Sequence, residues 1–233
     1  MLKKILKKSF KFLTYLFFPN RCPVCNSIIE FNKEYCEACD LSIPRIPDNI
    51  LSLWSHCRNL RKFANIKLYF DGYIAPYYNE DGGKAIVYNY KLGKRIELAD
   101  LISDEMFEVY NKYYKDIDFD FICGIPMPRL KRISSEFDHV DVLCEKLSSK
   151  TKIPYLYALK QIKPKIPQHS LSATERFKNV KGIYSIDDIE TKNKTILLVD
   201  DISTTGASLN ECAKILKRSG AKSVYCICAT INQ

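Results

Sequence analysis

Two common phosphate-binding signatures are missing from this 233-residue chain. It has no glycine-rich run ending in Lys, which excludes a Walker-type nucleotide loop, and no GxGxxG, which excludes a dinucleotide fingerprint. Glycine is scarce altogether, at 8 residues, and the 3 histidines fall in no pattern that names a general base. No internal repeat or low-complexity tract is visible. The apolar N-terminal stretch, MLKKILKKSFKFLTYLFFPN, is interrupted by Lys11 and is too short to span a bilayer. No small-residue cleavage site follows it, so it does not read as a signal peptide. Its Leu2, Ile5, Leu6, Leu13, Leu16 and Phe17 recur at helical spacing, with Lys3, Lys4, Lys7, Lys8 and Lys11 mostly on the other face. This amphipathic helix over 1–20 is expected to dock on the protein; contact with an anionic membrane surface is the less favoured reading.

What the chain does have is concentrated in residues 195–208, TILLVDDISTTGAS. Ile196 to Val199 shows no polar alternation, as expected of a strand buried on both faces of a parallel sheet. Asp200 and Asp201 then fall at its carboxyl end. Ile202, Ser203, Thr204, Thr205, Gly206, Ala207 and Ser208 form a small-residue hydroxyl loop. The following LNECAKILKRSG carries Leu209, Cys212, Ala213, Ile215 and Leu216 at helical spacing, with Gly220 as its stop, and Val224 to Ala229 reads as another buried strand. Backbone N–H groups, hydroxyls and the positive end of a helix dipole therefore converge on one small volume that suits a phosphate. The carboxylates would repel phosphate but accept hydrogen bonds from the hydroxyls of an adjoining sugar. A sugar phosphate satisfies both halves. The bland alternative is an ordinary strand-to-helix turn with a capping hydroxyl, against which several local features agree.

A second signal is Cys22-Pro-Val-Cys25, ten residues, then Cys36-Glu-Ala-Cys39. Two such knuckles offer four thiolates to one tetrahedral ion, and soft sulfur ligands favour zinc. The intervening NSIIEFNKEY suits a hairpin between knuckles. Disulfides are the alternative, but CxxC pairs joined by a short loop recur as zinc sites. The other six cysteines read as buried or incidental thiols of a reducing cytoplasm. A closed four-sulfur site is structural, with no open position for catalysis.

Residues 195–208 resemble the phosphoribosyl-pyrophosphate (PRPP) signature of the type I phosphoribosyltransferases. With the four-cysteine ribbon in front, the chain from about residue 15 onward resembles the ComF family of competence-associated phosphoribosyltransferase-like proteins. Gln168, Leu171, Arg176 and Asn179 match that family's spacing, and Ile125-Pro126-Met127-Pro128 is similar to its Val-Pro-Val-Pro. Where the family continues Arg-Gly-Phe-Asn-Gln, this chain has Ser135, Glu136, Phe137, Asp138 and His139, which removes an arginine and adds an acid.

The resemblance implies an α/β protein of type I phosphoribosyltransferase fold, a mostly parallel sheet flanked by helices, preceded by a small zinc ribbon. The expected division is the helix over 1–20, the ribbon and linker over 21–60, and the transferase-like domain over 65–233. Asp200 and Asp201 would be the catalytic pair, binding the ribose 2′ and 3′ hydroxyls, Thr204 to Ser208 would wrap the 5′-phosphate, and Ile202 and Ser203 would complete the PRPP-binding stretch. Pro126, Met127, Pro128, Arg129, Lys131, Gln168 and Arg176 would border the pyrophosphate. Zinc would be structural at Cys22, Cys25, Cys36 and Cys39, and magnesium would arrive with PRPP. The implied role is handling of incoming single-stranded DNA in the cytoplasm, alongside a competence helicase or strand-loading protein. A housekeeping enzyme of nucleotide salvage or biosynthesis and a non-catalytic adaptor are the competing readings. A glutamine-dependent amidotransferase is disfavoured, because it needs a glutaminase domain opening on cysteine and this chain opens MLKK.

The net charge of +9 favours anionic partners, but basic residues are spread without a long run and a solvated lysine-rich surface explains them equally. Elsewhere the pattern predicts a strand over 68–78, one broken or two consecutive helices over 83–114 with the break at Gly93, and a strand over 119–125. A helix is expected over 137–147, and an arm over 160–182 containing a short helix, its Ser172 and Glu175 forming a capping box. Tyr88, Tyr90, Tyr113 and Tyr114 are able to stack on bases but more often pack on helices of this kind. His56 beside Cys57 reads as packed or solvated rather than as a further metal ligand.

Overall fold

A computed structural model describes residues 15–46, 67–93, 95–127, 137–164 and 173–232. After the cysteine segment, which holds the short helix α1 (Glu37–Ser42), the order is β1 (Gly72–Ile74), β2 (Tyr77–Tyr78), α2 (Asp81–Lys91), α3 (Leu98–Tyr113), β3 (Phe121–Gly124), α4 (His139–Thr151), β4 (Leu159–Gln161), α5 (Ala173–Asn179), β5 (Tyr184–Ile186), β6 (Thr195–Ser203), α6 (Ala207–Arg218) and β7 (Ser223–Ile231).

The main sheet is parallel throughout, in the order β1-β7-β6-β3, with β2 continuing beside β7. Its two central strands are apolar on both faces: Ile196 to Val199 and Cys226 to Ala229 are all fully buried. Such continuous runs are stable only where helices cover both sides. α2, α3 and α4 pack together on one face, with Tyr90 Oη donating to the His139 carbonyl at 2.7 Å. α6 packs with α5 and β5.

The strand expected over 68–78 is interrupted, because Pro76 has no N–H to give a ladder. β1 pairs Gly72 with Tyr225, β2 resumes with Tyr77 against Thr230, and the Pro76 carbonyl instead accepts from Ile46 N–H at 2.9 Å. Helix α2 ends at Lys91, just before Gly93, and α3 starts at Leu98, in line with the expected break. α4 runs from His139 to Thr151, later than the expected 137–147. Its start is fixed by Asp138, whose side chain accepts from Val140 N–H and Asp141 N–H. The arm leaves the domain through β4 and β5, an antiparallel ribbon, and its short helix is α5.

Most of the helix expected over 1–20 lies outside the described residues, as do the linker from 47 to 66 with His56 and Cys57, and Ser172 of the capping box. Within the described part, Tyr15 Oη donates to the Ile29 carbonyl at 2.9 Å, while Leu16, Phe17 and Phe18 are exposed. Among the described residues no helix is long and apolar enough to cross a membrane.

Candidate functional site

The apolar drive that buries Ile196 to Val199 carries β6 up to Asp200 and Asp201, and the strand continues as far as Ser203. Successive side chains of a strand point to opposite faces, so the two carboxylates diverge. Asp200 lines a cleft with Ile202, Ser203, Thr204, Thr205, Gly206, Ala207, Ser208 and Leu209. Asp201 is 3% exposed and turns toward α2, where its Oδ2 lies 2.5 Å from Lys91 Nζ. Asp200 Oδ1 accepts from Asp201 N–H at 3.0 Å, and Asp201 Oδ1 from Ile202 N–H at 2.7 Å, so both carboxylates are held by backbone. Burial pulls the Lys91 ammonium toward its neutral form, but the charges of Asp201, then Asp200 and Asp138, hold its pKa above the ordinary value.

The cleft floor is the start of α6. Its N-cap, Gly206, has φ +68°, a left-handed conformation that costs a side-chain-bearing residue about 1–2 kcal/mol. This turn brings the first N–H groups of α6 round to the loop, and no side chain caps them. They are the orphan donors that every helix leaves at its N-terminus. Behind the loop, the Ser203 carbonyl accepts from Asn232 N–H at 3.0 Å, while Asn79 Nδ2 donates to Asn232 Oδ1 at 2.8 Å. In α6, Asn210 clamps residues 67–69: its Oδ1 accepts from Tyr69 N–H at 2.8 Å and its Nδ2 donates to the Lys67 carbonyl at 3.0 Å. On the arm side, burial holds the Tyr184 hydroxyl well above its ordinary pKa.

The sites named from the sequence are brought together in part. Asp200 and residues 202–208 form one cleft. Pro126 and Met127 follow β3 at the same sheet end, where Ile125 N–H donates to the Val199 carbonyl at 2.9 Å. Pro128, Arg129, Lys131, Ser135, Glu136 and Gln168 lie outside the described residues, and Arg176 sits in α5. Asp138 of the departing stretch spends its carboxylate on capping α4, and Phe137 packs on His139 with ring centroids 4.8 Å apart. Of the tyrosines, Tyr90 and Tyr114 are buried and Tyr88 is 54% exposed. Lys91, the cation paired with Asp201, was not found by sequence reading, since it stands 110 positions before its partner.

The second cluster is the ribbon. Sγ atoms of Cys22, Cys25, Cys36 and Cys39 all lie within 4.8 Å of one another, with Cys25 and Cys36 at 3.6 Å. Tetrahedral zinc with bonds of about 2.3 Å spaces its sulfurs about 3.8 Å apart, so the thiols fit that ion. Cys22 N–H donates to the Ser27 carbonyl at 2.8 Å, and Cys36 starts α1, which brings Cys39 round one turn. Hydrogen bonds from the Ser27 hydroxyl and backbone hold the Cys25 thiol down to about 6. The expected hairpin between knuckles is not present among the described residues. The bridge there pairs Arg21 with Ile28 across the first knuckle, and no strand lies between Cys25 and Cys36. The ribbon rests on the larger domain through Tyr35 Oη and Tyr77 Oη, 2.9 Å apart, and through Asn89 Nδ2, which donates to the Pro23 carbonyl at 2.7 Å.

A family model described as the phosphoribosyl transferase domain matches residues 102–231, more than half of the chain. The chain belongs to that family. Its fold is accordingly the type I phosphoribosyltransferase fold, with a four-cysteine cluster ahead of it. Competence protein F of Haemophilus influenzae is 31% identical over 106 residues, 44% of this chain and 46% of that protein. DNA utilization protein YhgH of Escherichia coli K12 is 30% identical over 115 residues, 48% of this chain and 50% of the relative. The chain thus spans about half the length of the curated relatives it matches. The domain, these relatives and the cysteine cluster bear out the ComF resemblance read from the sequence. Among solved structures, the adenine phosphoribosyltransferase of Giardia lamblia with 9-deazaadenine is 13% identical with a TM-score of 0.41, over 62% of this chain and 84% of that one.

Proposed function

We propose that the protein binds PRPP and acts as a phosphoribosyltransferase-like protein on or with incoming single-stranded DNA during natural transformation. The observation that carries the first half is the cleft itself: an uncapped helix start and a hydroxyl loop beside the Asp200 carboxylate, on a chain of the phosphoribosyl transferase domain family. Residues 203–208 take the 5′-phosphate through their N–H and hydroxyl groups. Asp200 accepts from the ribose hydroxyls, its carboxylate having lone pairs beyond the one used by the backbone, while Asp201 stands behind it paired with Lys91.

In transfer, the acceptor's nucleophile forms a bond to ribose C1 while the C1–O bond to diphosphate breaks, and diphosphate departs with the bonding pair. Magnesium arriving with PRPP would neutralise the charge of the departing diphosphate. The chain's own residues hold the 5′-phosphate and fix the ribose by its hydroxyls, so their contribution is positioning and electrostatic. Zinc at the four cysteines is structural. The DNA half rests on the names of the relatives and on the net charge of +9. A cytoplasmic location goes with that role.

Calorimetry with PRPP and magnesium tests the ligand. The role is tested by transforming cells that carry Asp200→Ala with Asp201→Ala: chromosomal transformation falls while DNA still enters the surface compartment. Normal transformation with purine or pyrimidine auxotrophy would replace this reading by a salvage or biosynthetic enzyme.

A further inference from the structure

We propose that Lys91 is a diphosphate-binding residue of this site, held in place by Asp201. The inference rests on the PRPP reading above and adds to it a cation that no sequence motif contains.

Lys91 is the last residue of α2, and a helix ending there delivers its side chain to one end of the sheet. That end is the carboxyl end. Lys91 Nζ reaches Asp201 Oδ2 at 2.5 Å, and it feels Asp138, the cap of α4, as well as Asp200. Since β3 pairs with β6 through Gly124 and Val199, the turn at Ile125 to Met127 leaves the sheet beside these same groups. The ammonium therefore lies where β3, β6 and the start of α4 converge.

The phosphate loop lies on the opposite side of β6. Asp200 faces it, and Asp201, one residue on, faces α2. The site thus has two anion-attracting ends, the start of α6 and the Lys91 ammonium, with a carboxylate between them. A ligand that matches has a phosphate at one end, hydroxyls in the middle and a second anionic group at the other end. PRPP has that order: 5′-phosphate, ribose hydroxyls, 1-diphosphate.

Exposure supports a binding role. The Lys91 side chain is 35% exposed and its partner's 5%, so the buried carboxylate anchors a lysine whose side chain still reaches the surface. Lysine has three donors, and one ion pair does not exhaust them. α2 is itself fixed: Gly83 has its Cα so near the Tyr78 carbonyl that a Cβ would stand 2.3 Å from that oxygen, and Tyr90 bonds the start of α4. A rigid helix lets a long side chain present charge at a defined place.

The test compares two ligands by calorimetry in magnesium buffer: PRPP, and ribose 5-phosphate, which lacks the diphosphate. Lys91→Met should weaken PRPP about 10- to 100-fold, the span of one charge-assisted hydrogen bond, and leave ribose 5-phosphate within about twofold. Lys91→Arg should restore most of the loss. Because Lys91→Met strands a buried carboxylate and risks the fold, the same comparison is made between Asp201→Asn and Asp201→Asn with Lys91→Met, where no charge is stranded. A lysine that binds diphosphate gives a loss confined to PRPP in that background, smaller than in the unmodified protein because Lys91 there has no Asp201 anchor. Unchanged PRPP affinity without Lys91, or equal loss of both ligands, overturns the assignment while the PRPP site stands. A wild-type protein that binds neither ligand removes the PRPP reading, and the role of Lys91 with it.

Discussion

Replacing Asp200 by Asn tests the sugar half of the site with little damage to the fold. Asp200 is 9% exposed, and its Oδ1 accepts from Asp201 N–H at 3.0 Å. Alanine would leave that buried donor unsatisfied at a cost of about 1–3 kcal/mol, confusing folding with binding. Asparagine keeps an acceptor oxygen there and removes only the charge. A hydroxyl bound to a carboxylate is worth about 1.5–3 kcal/mol and one bound to a neutral amide about 0.5–1.5, so two ribose hydroxyls lose about 2–3 kcal/mol together. Relief of repulsion works the other way. Against a phosphate about 8 Å off in a water-like medium it is about 0.5 kcal/mol per charge, too small to cancel the loss. Affinity for PRPP should therefore fall by about 10-fold or more by calorimetry, with the thermal midpoint close to that of the unmodified protein. Affinity within twofold of the unmodified protein, with an intact midpoint, would refute Asp200 as a ribose ligand.

Purified protein should carry close to one zinc per chain, and Cys36→Ser should lose it and unfold the ribbon while the larger domain keeps its parallel sheet. In a segment this short, a bound zinc would supply about 10 kcal/mol or more of folding free energy. Elemental analysis without zinc, together with disulfide-linked peptides in mass spectra, would contradict this. Gly206→Ala should cost about 1–2 kcal/mol through its φ of +68° alone, because a Cβ there meets nothing closer than Ser203 Oγ at 3.9 Å. Chemical denaturation reads the stability, and phosphate affinity should drop with it as the loop moves. Asp120 pairs with Lys194 at 2.9 Å and accepts from Thr195 N–H at 2.8 Å, and these hydrogen bonds hold its pKa below the ordinary carboxylate value. A lowered folded pKa stabilises above the unfolded value and is lost as pH falls through the folded one. Asp120→Asn should therefore be less stable at neutral pH, and its deficit should close below about pH 4; a deficit that persists at low pH would sink that assignment. Binding to single-stranded DNA should weaken with salt, with a log-log slope of about −0.7 per phosphate neutralised.

What was legible in the sequence is what repeats locally. Ile196 to Val199 announces a doubly covered strand because four consecutive apolar side chains have no other stable place, and the strand sits in the middle of the parallel sheet. Cys22, Cys25, Cys36 and Cys39 announce a cluster because two short turns each present two thiols, and the sulfurs do converge. Where a local rule was broken, the break was also written in the chain: Pro76 lacks the donor that one continuous strand over 68–78 would need. The hairpin expected between the knuckles does not form, because a segment of ten residues tied to cysteines at both ends is spent on closing the knuckles rather than on pairing with itself.

The division of labour between Asp200 and Asp201 was not legible, although the physics behind it is elementary. Read as a pair, two adjacent acids suggest one shared task. A strand that continues to Ser203 instead forces them apart by its pleat, so one faces the start of α6 and the other faces α2. Which cation then meets Asp201 depends on where α2 ends, and that is set by packing with α3 and α4 and by the closeness of Gly83 to the Tyr78 carbonyl. Had β6 ended at Val199, Asp200 and Asp201 would have been loop residues free to turn the same way, and Lys91 would have had no buried anchor. The extra strand residues convert a two-acid motif into a site with a hydroxyl loop on one side and an ammonium on the other, and they do so through ladder bonds such as Ile202 with Thr230 and Ser203 with Ile231. The β7 residues that hold this register, Thr230 and Ile231, are therefore as much a part of the site's polarity as the acids.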